Sequence, residues 1–415
     1  MYRICLLILY PFLTLGIAAQ STEKIEPFYI KSIQFQGGSQ QAQLPIVKLG
    51  ETISLSFDDL RGIEADFYYQ ITHHNYDWTP SDLSKGEYLD GFDDVRIEQY
   101  LNSLNSLQLY SHYEVRFPNR ETRGFKKSGN YMIHLYDDDG ALVFTRKFMI
   151  IQEQVGVGVS VKRSRDLKYI NQKQAVQFTI YSNDLLLINP NESVKTVLIQ
   201  NNNLNRVIND LKPQYTMGQD LIYRYDQQAS FWGGNEFLNF DSKEPRVANV
   251  GIRRVELNEV FEHYLYSQNP RAERPYTFNP DINGNFVIRA LQANDSRIEA
   301  EYILTHFSLR YQPSDNERVF VYGNFNNYAT QDTNELYFNP DSGLMETILY
   351  LKQGFYNYTF ASQIGDDPVD LGRINGNHWE TENQYDVLVY YKGPGERFDR
   401  LIGRGQGNST TITNN

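Results

Sequence analysis

Cysteine is almost missing from this 415-residue chain: the single one is Cys5. It falls inside an amino-terminal segment that reads as an export signal, so the remainder has no disulfide, no thiolate nucleophile and no cysteine metal ligand. Helical periodicity is just as scarce. Only Ile97, Tyr100, Leu101 and Leu104 follow a 3.6-residue spacing, which supports one short helix or an irregular loop. Basic residues are outnumbered, 39 Lys and Arg against 51 Asp and Glu, for a formal net charge of −12. That balance argues against a nucleic-acid partner, because phosphate binding needs clustered cations.

Several catalytic signatures are missing too. No HExxH, Gly-x-Ser-x-Gly or Ser-x-x-Lys constellation occurs with its required context. His73 and His74 are adjacent, and on a strand they would point to opposite faces, which suits a shared metal poorly. Gly156-Val157-Gly158 is too brief for a dinucleotide fingerprint. Asp281-Ile282-Asn283-Gly284-Asn285 opens like a calcium loop but carries Gln292 where the closing Glu belongs, so a turn before Phe286 is expected. The chain therefore reads as a non-enzymatic binding protein, with no cofactor, metal or small-molecule substrate.

What is present is aromatic and β-prone: 31 Tyr and 24 Phe, residues that suit pleated, half-buried surfaces. Residues 1–19 combine Arg3, an apolar run and Ala18-Ala19, the layout of a cleaved secretory signal. Alternating apolar segments follow at 28–36, 52–58 and 65–72. The clearest hairpin joins 131–136 to 141–150 through Asp137-Asp138-Asp139-Gly140, whose last residue tolerates a positive φ. Further strands are expected at 155–161, 175–181, 196–201, 221–225, 253–257, 286–289, 302–311, 319–322, 345–351, 356–361 and 385–391. The predicted fold is all-β, with tandem β-sandwich modules at 25–152, 153–312 and 313–403. A Gly-, Ser-, Thr- and Asn-rich tail at 404–415 is expected to be disordered.

Two resemblances add to this reading. Val321-Tyr322-Gly323-Asn324-Phe325-Asn326-Asn327-Tyr328 and Leu349-Tyr350-Leu351-Lys352-Gln353-Gly354-Phe355-Tyr356-Asn357-Tyr358 resemble the early-set sandwich of glycogen-binding modules. That likeness implies Phe325, Tyr328, Lys352 and Trp379 as glycan contacts, and an alternative function as an envelope carbohydrate-binding protein. More extensively, the chain resembles the plug proteins of type IX secretion systems. Ile71-Thr72-His73-His74-Asn75-Tyr76-Asp77-Trp78-Thr79-Pro80-Ser81, Glu87-Tyr88-Leu89-Asp90-Gly91-Phe92 and Phe231-Trp232-Gly233-Gly234-Asn235-Glu236-Phe237 carry part of the likeness. Asn383 and 385–391 extend it almost to the end. It departs at Gln200-Asn201-Asn202-Asn203-Leu204-Asn205, where the family's binding-loop pattern differs, and at His74, where a cysteine is common. The resemblance implies a periplasmic protein, associated with the outer membrane, that closes the inner mouth of a large outer-membrane β-barrel translocon. Trp78, Tyr88, Trp232 and Phe237 are its candidate partner contacts, because large aromatics dominate many interfaces.

Overall fold

The computed structural model describes residues 20–37, 44–182 and 185–412. The expected signal segment at 1–19 lies outside them. Within them the fold is all-β, and three cores organise it.

The first core fills a sandwich. One sheet runs, in spatial order, through Ile30–Gly37, Ile53–Asp59, Ser111–Phe117 and Gln99–Asn102. The other contains Ile46–Lys48, Leu142–Ile151, Gly129–Asp137, Phe67–His74 and Val95–Arg96. Alternation does the packing: Phe67, Tyr69 and Ile71 point inward from one strand, and Tyr131, Ile133 and Leu135 from its neighbour. Phe57, Phe67, Tyr113 and Phe144 interlock ring on ring at centroid distances of 4.9–5.5 Å. The expected hairpin is present, with Gly140 at φ 76°. The helical spacing at Ile97–Leu104 is overturned. Gln99–Asn102 is an edge strand paired with Ser111–Phe117, because Tyr100 packs on the core while Leu101 faces solvent.

The second sandwich is assembled from distant parts of the chain. Gly156–Arg163, Lys173–Tyr181, Asp220–Tyr223 and Tyr215–Met217 form one sheet. In the facing sheet, Val194–Gln200 pairs with Gln384–Tyr391, which pairs in turn with Arg400–Asn408. Residues 238–364, with a nine-stranded sheet curled around its own core, are thus inserted into the second sandwich. The boundaries expected at 312 and 403 do not follow the sheets, since 385–391 belongs to the second sandwich and not to the third.

The tail expected to be disordered at 404–415 is corrected over 404–412; residues 413–415 lie outside the described residues. Residues 404–408 are strand, and Ser409–Thr411 is a short 3-10 turn. Gly403, Gly405 and Gly407 alternate on one face, laid against Val155, Val157 and Val159. A Cβ on any of these glycines would sit 2.6–2.7 Å from an atom of its facing valine. The glycines are there because two strands cross too closely for side chains on both.

The sandwiches touch pairwise. Between first and second, Leu44, Ile46, Trp78, Met149 and Ile151 meet Val197, Ile199, Leu388, Tyr390 and Leu401. The buried Asn130 spans this contact, accepting from the Tyr390 hydroxyl at 2.7 Å and donating to the Asn75 carbonyl at 2.9 Å. Two adjacent links join second to third. The outgoing one is Phe231-Trp232-Gly233-Gly234-Asn235-Glu236-Phe237, and the returning one runs through 375–383. They are bonded side by side, for example from Asn383 Nδ2 to the Gly233 carbonyl (2.8 Å) and from the His378 amide to the Gly234 carbonyl (2.8 Å).

Candidate functional site

The third contact, between first and third sandwiches, is polar at its centre. Asp58 is fully buried and its carboxylate meets three partners: Lys352 Nζ, the Tyr302 hydroxyl and His112 Nδ1, each at 2.6 Å. The Lys352 ammonium also donates to the Arg297 carbonyl at 2.6 Å and lies 4.2 Å from the centre of the Tyr110 ring. Burial alone would raise the Asp58 pKa, but the Lys352 and His112 charges and hydrogen bonds hold it below the usual carboxylate range. Burial lowers the Lys352 pKa, and Asp58 opposes that shift. This is a structural ion pair. Lys352, expected from the glycogen-module likeness to touch a sugar, has no free donor face to offer one.

Of the other glycan candidates, Phe325 lines the cleft between the sandwiches together with Lys352. Tyr328 is buried, and its hydroxyl donates to the Asn201 carbonyl at 3.1 Å. Phe325 packs on Tyr356 with ring centres 5.8 Å apart. Half-buried Trp379 lies beneath the Arg163 guanidinium, 4.6 Å away. Tyr328 is thus spent in packing, while Phe325 and Trp379 keep part of their surface exposed.

Of the four partner-contact candidates, three are internal. Trp78 sits in the junction between first and second sandwiches, covered by the Lys147 ammonium at 4.7 Å. Tyr88 belongs to the first core and donates to the Ile71 carbonyl at 3.0 Å. Phe237 packs against Gly284, where an added Cβ would meet its ring at 2.7 Å. Trp232 remains accessible, 36% exposed, resting on Tyr169 and under the Lys173 ammonium.

The histidine pair is also structural. His73 is hydrogen-bonded to Ser81 Oγ (2.8 Å) and the Ser128 carbonyl (3.3 Å), and His74 to Thr72 Oγ1 (2.8 Å) and the Trp78 carbonyl (3.1 Å). Burial lowers both imidazole pKa values to about 4. Asp281 caps its turn by accepting from the Phe237 and Asn283 amides, and burial raises its carboxyl to about 7. Among the described residues, no group of three or more His, Cys, Asp or Glu side chains is arranged to hold a metal ion.

Two surfaces escaped the sequence reading. One is a cleft of about 1390 Å³ where the three sandwiches meet, lined by Lys31 and Phe35 from the first, Leu204 and Gln384 from the second, and Phe286 and Ile348 from the third. The other is a set of exposed apolar side chains on the first sandwich, Ile63, Leu101, Leu104, Leu107 and Leu109, each 44–60% exposed, beside the contact with the third sandwich, to which the Leu104 amide is bonded through the Ile298 carbonyl at 2.8 Å. The four leucines in nine residues were the available signal; only Leu101 and Leu104 entered the reading, as part of a helical spacing with Ile97 and Tyr100.

Comparison with known proteins bears on this architecture. Residues 30–152, the first sandwich, match the family model described as "Type 9 secretion system plug protein 1st domain". A crystal structure of a hypothetical protein from Parabacteroides merdae superposes with a TM-score of 0.90 at 28% identity, covering 94% of this chain and 100% of that one. The three-sandwich arrangement, insertion included, is thus shared with that bacterial protein along its full length. A biofilm-associated protein domain (TM-score 0.18, 7% identity, 95% of this chain and 61% of that one) is too dissimilar to inform the fold. No curated protein matches.

Proposed function

We propose that this chain acts in type IX secretion as a non-enzymatic plug, sealing the periplasmic opening of the outer-membrane β-barrel translocon. The observation that carries the reading is the match of the whole first sandwich to the first domain of type 9 secretion plug proteins. The geometry is compatible with it. Three sandwiches are joined pairwise by a buried apolar junction, a double link and a buried ion pair, contacts that oppose their relative motion. The exposed apolar side chains of Ile63, Leu101, Leu104, Leu107 and Leu109 and the exposed Trp232 supply contacts of the type that bury well against a protein partner. Affinity purification from solubilised outer membranes tests the proposal. Recovery of a large barrel protein, lost on Leu104→Asp/Leu107→Asp substitution, is expected. Purification of the chain alone, under conditions that preserve envelope complexes, would contradict it.

A further inference from the structure

One hairpin of the second sandwich carries charge of the opposite sign to the chain as a whole. Residues 164–172 turn the chain from Gly156–Arg163 into Lys173–Tyr181. Lys162, Arg163, Arg165, Lys168 and Lys173 fall within twelve residues there, with Asp166 the one acid among them, in a protein of net charge −12. None of the five forms a salt bridge among the described residues. The two nearby carboxylates are turned onto the backbone of the turn itself. Asp166 accepts from the Lys168 amide at 3.0 Å and acts on the Lys168 ammonium only from farther away, and Asp226 accepts from the Arg165 amide at 3.0 and 3.1 Å.

The turn is firmly built. The Tyr169 amide donates to the Asp166 carbonyl, and the Gln172 and Lys173 amides to the Tyr169 carbonyl, each at 2.9 Å. Strand register puts Lys162 opposite Ala175 and Lys173 opposite Trp232, while Val161 and Val176 pack in the core. Lys162, Lys173 and Trp232 therefore share the outer face of the sheet. The Lys173 ammonium lies 4.5 Å from the Trp232 ring and 4.7 Å from the Tyr169 ring, and Lys168 lies 4.8 Å from the latter. Arg163 is held at the Ile170 carbonyl and over Trp379, whereas Lys162, Arg165 and Lys168 are exposed. At the tip, Leu167 is 86% exposed, more than any other large apolar side chain among the described residues.

This combination selects among anionic partners. Protein interfaces centre on aromatic and arginine anchors seated in pockets and are poor in lysine; here the apolar anchor protrudes, and three of the five cations are lysines. A nucleic acid is held along a track of phosphate contacts, which one turn does not supply. An anionic bilayer needs neither pocket nor track. Lysine and arginine meet its phosphates, tyrosine and tryptophan settle at headgroup depth, and an aliphatic tip dips below them.

We propose that the 164–172 turn rests on an anionic phospholipid surface, with Leu167 entering the headgroup layer and Lys162, Arg165 and Lys168 meeting lipid phosphates. The contact is peripheral, and salt weakens it. It shares only Trp232 with the proposed barrel contact, so either can fail alone.

Sedimentation with vesicles, in the absence of any barrel, is the test. The chain is used from residue 20 onward, so that the apolar run before it binds no lipid. Vesicles of phosphatidylcholine and phosphatidylglycerol in equal parts should retain the protein, and vesicles of phosphatidylcholine alone should not. Lys162→Glu/Lys168→Glu should weaken retention at least about tenfold, since each cation near an anionic surface contributes about a factor of five. Leu167→Asp should weaken it as well. Arg120→Glu/Arg123→Glu makes the same charge change on the first sandwich, at side chains 95% and 64% exposed, and should leave retention unchanged. In the wild-type protein, amide exchange at 164–172 should slow on adding mixed vesicles, a readout that needs no variant to fold. Four results would overturn the proposal: no retention by mixed vesicles, equal retention by neutral ones, an equal loss in the Arg120/Arg123 variant, or binding of polyglutamate or a single-stranded oligonucleotide as tight as that of mixed vesicles.

Discussion

Lys352 sits at the centre of a network that holds the first and third sandwiches together. Lys352→Met would leave Asp58 buried with His112 and Tyr302 but no fixed cation. Breaking one side of a buried pair costs about 3–5 kcal/mol. The loss should appear as a lower denaturation midpoint, and Asp58→Asn/Lys352→Met should recover part of it in a double-mutant cycle; equal stability of Lys352→Met and wild type would contradict the network's role. The histidines make a second prediction at this scale. His73 and His74 have folded-state pKa values of about 4, below their ordinary value of 6.5. A depressed histidine means the unfolded chain binds more protons, so the contribution is fully present above pH 6.5 and is lost as pH falls through about 4. Each imidazole contributes on the order of 3 kcal/mol to this slope. Urea midpoints should therefore fall between pH 7 and pH 4.5, and less steeply in His73→Gln/His74→Gln. An unchanged slope in that variant would refute the assignment. Sequence spacing already argued against a metal at this pair; its burial was not readable there, because it depends on Ser81 and Ser128 folding over the ring.

At the scale of elements, strands were legible wherever side chains alternate. The hairpin around Asp137-Asp138-Asp139-Gly140 was readable to within a residue or two, because turn chemistry and periodicity agree there. Pairing order was not legible. Nothing local to Gln384–Tyr391 announces that its partner is Val194–Gln200, almost two hundred residues earlier. The carboxy-terminal strand was misread for a different reason: composition alone makes Gly403-Arg404-Gly405-Gln406-Gly407 look disordered. Its period of two, facing the alternating valines at 155, 157 and 159, is a strand pattern written in small residues. Gly405→Val should therefore destabilise the second sandwich by about 1–3 kcal/mol through overpacking. Thermal unfolding measures this, and a neutral effect would mean the tail does not pack as described.

For the whole molecule, the informative features lie between modules. The cleft is invisible in sequence because its walls come from strands more than three hundred residues apart. The aromatics chosen as contacts were largely spent inside: Trp78 at a junction, Tyr88 in a core, Phe237 against a glycine. Leu101, Leu104, Leu107 and Leu109 are more exposed than those aromatics; the first two were read as helical spacing and the last two were not singled out. The three junctions oppose relative motion of the sandwiches, which is what the proposed plugging role would call for. The most direct test is electrical: the purified translocon barrel in a planar bilayer, with the chain added to one side and then the other. The account predicts that conductance falls on addition to the periplasmic side only, and that Leu104→Asp/Leu107→Asp protein leaves the pore open. Unchanged conductance with wild-type protein on both sides would contradict it.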